Sequence, residues 1–174
     1  MRRRLFAWIA SPCAALIACS STPDATPPRA DAGAEVGADG GADVRCADRD
    51  EPDPMGLDDD CDGIDGSVLR AVFTAPDGDD RNAGTRDAPV RSLRTALRLA
   101  RFSGRTQVLL ADGRYDETEP VVLVDGVSVY GGYQRATGWQ RQRVGGSEVH
   151  GASLALVAQG LRTGVTLARV RVES

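Results

Sequence analysis

The sequence predicts a small all-β domain of stacked short strands, closed at its N-terminal end by one helix. Three β-rich runs carry the prediction: residues 106–115 (TQVLLADGRY), 121–133 (VVLVDGVSVYGGY) and 164–172 (GVTLARVRV). Turns at Asp112-Gly113 and Asp125-Gly126 punctuate them. In the last run Val165 and Leu167 bracket Thr166; the phase then slips at Ala168, so that Val170 and Val172 alternate with Arg169 and Arg171. A one-residue slip inside an apolar run is what a solenoid corner requires, because it swings the chain onto a new face. Val108, Val127, Val149 and Val165 recur at gaps of roughly 20 residues, the scale of a solenoid repeat. These runs give about three rungs. The same strands would also fit an antiparallel sandwich, since strand pattern alone does not fix topology.

The helix follows from local signals. Residues 72–75 read as a short strand, and a turn-rich loop leads from it to Pro89. Proline cannot continue a helix and biases its neighbour toward extended backbone, so the helix begins after it. Ser92 is placed to cap it, its hydroxyl accepting from a first-turn N–H. Leu93, Ala96, Leu97 and Ala100 recur at helical spacing as one apolar stripe. Gly104 supplies the stop. Arg91, Arg94, Arg98 and Arg101 fall on the other side, either as a solvated face or as a contact for anionic headgroups or acidic glycans.

Charge divides the chain. The 174 residues carry a net −4, but residues 20–66 hold 14 acidic residues against 3 arginines, and residues 67–174 hold 11 against 15. That shift predicts a boundary near residue 66. All 21 basic residues are arginine, a bias without functional content. No nucleic-acid partner is assigned.

Residues 1–19 read as an export signal: Arg2, Arg3 and Arg4 precede a mainly apolar core too short to span a bilayer comfortably. Leu16-Ile17-Ala18-Cys19 resembles the bacterial lipobox, which implies that Cys19 is acylated, becomes the mature N-terminus and anchors the protein in a membrane. Ser20 after the cysteine implies, by the same resemblance, the outer membrane or cell surface. The alternative is an ordinary signal peptide cut nearby. Residues 20–45 are mainly Pro, Ala, Gly and Asp, with little apolar bulk to bury, and predict a disordered tether reaching roughly 30 Å.

Of the four cysteines, Cys13 would leave with the signal and Cys19 would carry lipid. Cys46 and Cys61 remain, in a compartment that permits a disulfide between them. They bracket an acidic segment, residues 46–66. Within it Asp58, Asp60 and Asp62 alternate and Gly63 follows at once, the opening of a calcium loop. Ile64 would offer its carbonyl at the seventh position. Leu69 stands at the twelfth, where a bidentate Glu belongs, so this is not a complete EF-hand. Asp65, or upstream Asp48, Asp50 and Asp53, would have to complete a different shell. The block resembles short Asp-rich, Cys-containing calcium repeats of secreted bacterial proteins. The competing reading is a solvated acidic linker pinned by a disulfide.

Val72-Phe73-Thr74-Ala75-Pro76, then Gly78, Asn82 and Gly84-Thr85, then Pro89 to Leu93 and the helix, resemble the entry of secreted right-handed parallel β-helix proteins of the pectate-lyase-like type. The resemblance covers roughly residues 70–174 and implies a right-handed parallel β-helix with an N-terminal capping helix over residues 67–174. It says little about activity, because one scaffold carries many functions.

Three function classes follow. The first is a lipid-anchored surface protein with a structural or glycan-binding shaft. The second is a polysaccharide lyase or glycoside hydrolase, for which no clustered catalytic set is visible; Asp112 and Asp125 sit in turns, and no catalytic residue is assigned. The third is a calcium-dependent adhesion module. Trp139 is placed at the tip of a loop running from Gly131 to Arg143, where its ring would either stack on a sugar or fold back on the scaffold. His150, the only histidine, receives no role. Val170 and Val172 at the open C-terminal end predict either further rungs beyond Ser174 or self-association.

Overall fold

The computed structural model describes residues 46–151 and 155–174; the expected export signal, Cys19 and the expected tether lie outside them. Apart from one α-helix, α1 (Leu93–Ser103), the regular structure is mainly strand. The strands are β1 (Ala71–Thr74), β2 (Gln107–Ala111), β3 (Gly113–Glu117), β4 (Val121–Val122) and β5 (Ser128–Gln134). After them come β6 (Gln140–Arg141), β7 (Ser147–Gly151), β8 (Leu156–Val157), β9 (Leu167–Ala168) and β10 (Val170–Glu173).

Three parallel stacks hold nearly all of these strands. In the first, β1, β2, β5 and β9 lie side by side, with Val72 opposite Val108, Val108 opposite Val129, and Val129 opposite Leu167. The second stacks β3, β7 and β10, with Tyr115 opposite Val149 and Val149 opposite Val172. The third pairs β4 with β8. The chain therefore visits the stacks in one order: β2, β3, β4; then β5, β7, β8; then β9, β10. This parallel register excludes an antiparallel sandwich. Among the described strands only β6 runs antiparallel, folded back on the end of β5.

The landmark valines need correction. Val149 belongs to the second stack rather than the first, and Val165 lies outside the strands. The first step, Val108 to Val129, is 21 residues, but Val129 to Leu167 is 38. A segment containing a 3₁₀ turn (Arg135–Thr137) and β6 is inserted in the middle pass and stretches the period. The corner expected at Ala168 falls one residue later, at Arg169, whose φ of 56° is left-handed.

α1 forms as its residues dictate. Ser92 accepts from the Thr95 N–H, and Gly104 closes the helix in the left-handed region at φ 71°. The Glu117 carboxylate accepts from the Leu93 N–H at 2.7 Å, and Asp80 accepts from the Arg91 and Ser92 N–H groups. The Ser92 and Leu93 donors would otherwise be orphans of the helix start. Leu93, Ala96, Leu97 and Ala100 are fully or almost fully buried against Val72, Val108, Leu110, Tyr115, Val129 and Val149. Burial stabilises this inner core by roughly 1.5–3 kcal/mol for each leucine-sized side chain.

The first stack is buried on its other face too. Ala71, Phe73, Leu109, Ala111, Tyr130 and Tyr133 point away from the inner core and form a second one with Ile64 and Trp139. Ile64 comes from the acidic segment and Trp139 from the insertion, so both flaps cover apolar surface that would otherwise face water. The charge boundary near residue 66 is therefore not a packing boundary: the described residues fall in one compact unit. Gly131 permits the closest approach between passes, since a Cβ there would stand 2.3 Å from the Arg169 carbonyl oxygen.

Candidate metal centre

The acidic segment is shaped by its own carboxylates. Cys46 and Cys61 are disulfide-bonded, and the Ala47 N–H donates to the Asp59 carbonyl at 2.7 Å. These links lay the arm carrying Asp50 alongside the arm carrying Asp58 and Asp60. Asp58 accepts from the Asp62 and Gly63 N–H groups at 3.0 and 2.9 Å, and Asp60 accepts from Asp62 at 3.2 Å. Gly63 takes φ 96°, a conformation that a side chain would strain.

Asp50, Asp58 and Asp60 each bring a carboxylate oxygen within 4.8 Å of the others. This cluster could hold a metal ion, and an all-carboxylate set suits a hard cation. Asp50 is buried, Asp60 half-buried and Asp58 exposed, so the cluster opens to solvent on one side. Burial pushes the Asp50 carboxyl up to about 6; the Gly66 N–H opposes that rise, and the negative charges of Asp65 and Asp60 add to it. A cation among these oxygens would offset the repulsion.

Of the expected ligands, Asp58 and Asp60 fall in this cluster, and Asp62 and Asp65 make other contacts. Asp62 accepts from the Val68 N–H at 2.6 Å and from Ile64 at 3.3 Å, and is not in the convergent trio. The Ile64 side chain is fully buried in the outer core. Asp65 accepts from the Asp53 N–H at 2.9 Å and pairs with Arg141 at 3.1 Å, both side chains almost fully buried. Asp53 accepts from Met55 and Gly56. Asp50, one of the upstream candidates, stands beside Asp58 and Asp60 on the arm that the disulfide ties to theirs.

Of the two alternatives for Trp139, the structure shows the ring folded back on the scaffold. It is 2% exposed, its ring edge-to-face with Phe73 at 4.8 Å, and its Nε1–H donates to the Arg86 carbonyl at 3.2 Å. A ring so enclosed cannot stack on a sugar. Its burial follows from the apolar outer face of β1, β2 and β5.

A family model described as a protein of unknown function (DUF1565) matches residues 76–156. That family is associated with right-handed β-helix proteins. The DUF1565 match takes in α1 and β2 through β7 but neither β1 nor the acidic segment, so the Asp50, Asp58 and Asp60 cluster lies outside it. No curated protein and no solved structure matches the chain.

A second acidic group lies inside the DUF1565 match, in a cleft of about 440 Å³ between the start of α1 and β3. It contains Asp80, Asp116 and Glu117 with Arg91, Arg94 and Arg114. Burial raises the Glu117 carboxyl, whereas hydrogen bonds from Ser92 and Arg91 outweigh burial at Asp80 and lower it. Carboxylates pushed apart in this way can mark an acid–base pair. Here both are held by the amides of the helix start, Arg94 pairs with Glu119, and Arg114 pairs with Asp116. The arrangement is first of all a helix cap.

Proposed function

We propose that this chain is an exported, lipid-anchored surface protein whose residues 67–174 form a right-handed parallel β-helix. The β-helix is a shaft with a structural or glycan-adhesive role, and calcium is held at Asp50, Asp58 and Asp60. The observation that most supports this reading is the fixed order in which successive passes visit three parallel stacks. The lipobox-like Leu16 to Cys19 supports the anchor. A lyase or hydrolase reading gains little from the cleft at α1, where both carboxylates already satisfy helix amides.

Anchor and adhesion are tested together. The parent chain should sediment with membranes, and Cys19→Ala should release it to the soluble fraction. The released protein should be retained on immobilised acidic or neutral polysaccharide without shortening it. Membrane-bound Cys19→Ala would place the anchor elsewhere, and release of oligosaccharides would turn the shaft into an enzyme.

Calcium is tested by titration calorimetry and melting. Added Ca²⁺ at about 100 times Kd should raise stability by roughly 2.7 kcal/mol, and Asp60→Ala should abolish the gain. Protons compete for Asp50, whose carboxyl titrates at about 6, above the ordinary value. Proton binding is therefore favoured below that pH and metal binding above it. Affinity at pH 5 should be about tenfold weaker than at pH 7. A pH-independent affinity would remove Asp50 from the site.

A further inference from the structure

The outer side of α1 borders a groove of about 770 Å³, shared with the chain around β4. Pro120, Val122, Leu123 and Val124 supply its apolar lining, and Phe102 joins them from the last turn of α1. Phe102 is 81% exposed and Val122 53%, so apolar surface stands open to water at the rim. Arg94, Arg98 and Arg101 line the same groove; at i, i+4 and i+7 they form one row about 10 Å long. Arg94 is paired with Glu119, whereas Arg98 and Arg101 have no ion-pair partner among the described residues. The acid in the lining, Asp125, accepts from the Arg162 and Thr163 N–H groups and from the Thr163 hydroxyl. Its charge is therefore already met by the loop after β8.

This combination selects its occupant. Two cations beside exposed apolar side chains match a layer with anionic heads above hydrocarbon, the chemistry of a charged lipid surface. A polysaccharide fits less well, because its hydroxyls would lie against Pro120, Val122, Leu123 and Val124, whose side chains offer no hydrogen bond. Long arginine side chains can also keep their heads among phosphates while their stems lie on apolar surface.

We propose that the groove along α1 seats this domain on an anionic membrane, with Phe102 and Val122 entering the lipid boundary and Arg98 and Arg101 meeting the headgroups. The proposal draws on the lipid-anchored reading for nearness alone: with Cys19 acylated, the bilayer lies no farther from Cys46 than residues 20–45 can stretch. The groove itself is built without calcium or glycan.

The test uses the full-length chain with Cys13→Ala and Cys19→Ala, so that an added Gln159→Cys in the groove lining is the one thiol outside the disulfide. It carries an environment-sensitive dye, and Val144→Cys, outside the groove and 87% exposed, carries the same dye as a control. The apolar leader can hold the chain on any vesicle, so the two labels rather than sedimentation give the readout. Phosphatidylglycerol vesicles should blue-shift the dye at 159 and leave the dye at 144 in water, and phosphatidylcholine vesicles should shift neither. Arg98→Gln with Arg101→Gln should lower the ratio of shifted to unshifted emission at 159 about thirtyfold, as the loss of two basic contacts with an anionic surface predicts. Circular-dichroism melting confirms that each variant folds.

A dye at 159 that stays in water on phosphatidylglycerol overturns the proposal, and so does a shift that phosphatidylcholine or the double variant reproduces in full. A shift without vesicles overturns it as well: produced by soluble polygalacturonate it marks a glycan site, and growing with protein concentration it marks a second copy of this chain. Failure of the anchor would leave this readout untouched, since every protein in it lacks Cys19.

Discussion

Replacing Arg141 with alanine is expected to lower the unfolding free energy by about 3–5 kcal/mol, the usual cost of stranding one partner of a buried ion pair. The Arg141 and Asp65 side chains are 3% and 1% exposed, so no solvent is at hand to stabilise the carboxylate left behind. The guanidinium also donates to the Gly131 and Asp53 carbonyls and lies near the Tyr130 and Tyr133 rings, at 5.5 and 5.7 Å from their centroids. Lysine cannot reproduce that fork, so Arg141→Lys should recover only part of the loss.

The pH dependence identifies the cause. Burial holds the Asp65 carboxyl above its ordinary value, while the Asp53 N–H and Arg141 pull it down; without Arg141 it rises further. A raised carboxyl costs stability above its folded pKa and recovers it as pH falls through that value. The deficit of Arg141→Ala relative to the parent should therefore shrink on acidification. Urea unfolding across pH measures it, and a deficit under about 1 kcal/mol at neutral pH would show that the pair is not structural.

Trp139→Ala should cost a similar amount, about 3–5 kcal/mol, as large aromatic truncations in cores do. The ring fills the space over Phe73 and satisfies the Arg86 carbonyl. Trp139 also takes φ 66°, a left-handed conformation that alanine tolerates no better than tryptophan. Trp139→Gly should then be as stable as Trp139→Ala or more so, the reverse of the usual ranking. Thermal melts of the pair decide it: a glycine variant clearly below the alanine variant would mean that the backbone at 139 relaxes once the ring is gone.

Elements set by local chemistry were legible in the sequence. Ser92 caps α1 with its hydroxyl, Gly104 ends it in the left-handed region that lack of a side chain permits, and Cys46 pairs with Cys61 as their place in the sequence leads one to expect. What the sequence concealed was the second buried face. A run such as Gln107 to Ala111 is apolar enough for burial on both sides, yet nothing in it names the cover. Ile64 stands among aspartates and Trp139 among arginines and glutamines, so each reads locally as part of a polar loop. Asp50 is one of four candidates to complete the calcium shell, and spacing could not single it out for a related reason. Loop spacing counts along the chain, whereas a disulfide brings carboxylates together across it.

The clasp made by that disulfide has a mechanical meaning. Pull the chain from its N-terminal side at Cys46, and tension passes directly through sulfur to Cys61, leaving the residues between them slack. It then reaches Asp65, which Arg141 grips beside the end of β5, and spreads sideways into a sheet whose strands share the load through parallel ladders. A domain drawn from that side is held at its broad flank, and β1 is not the first element to peel.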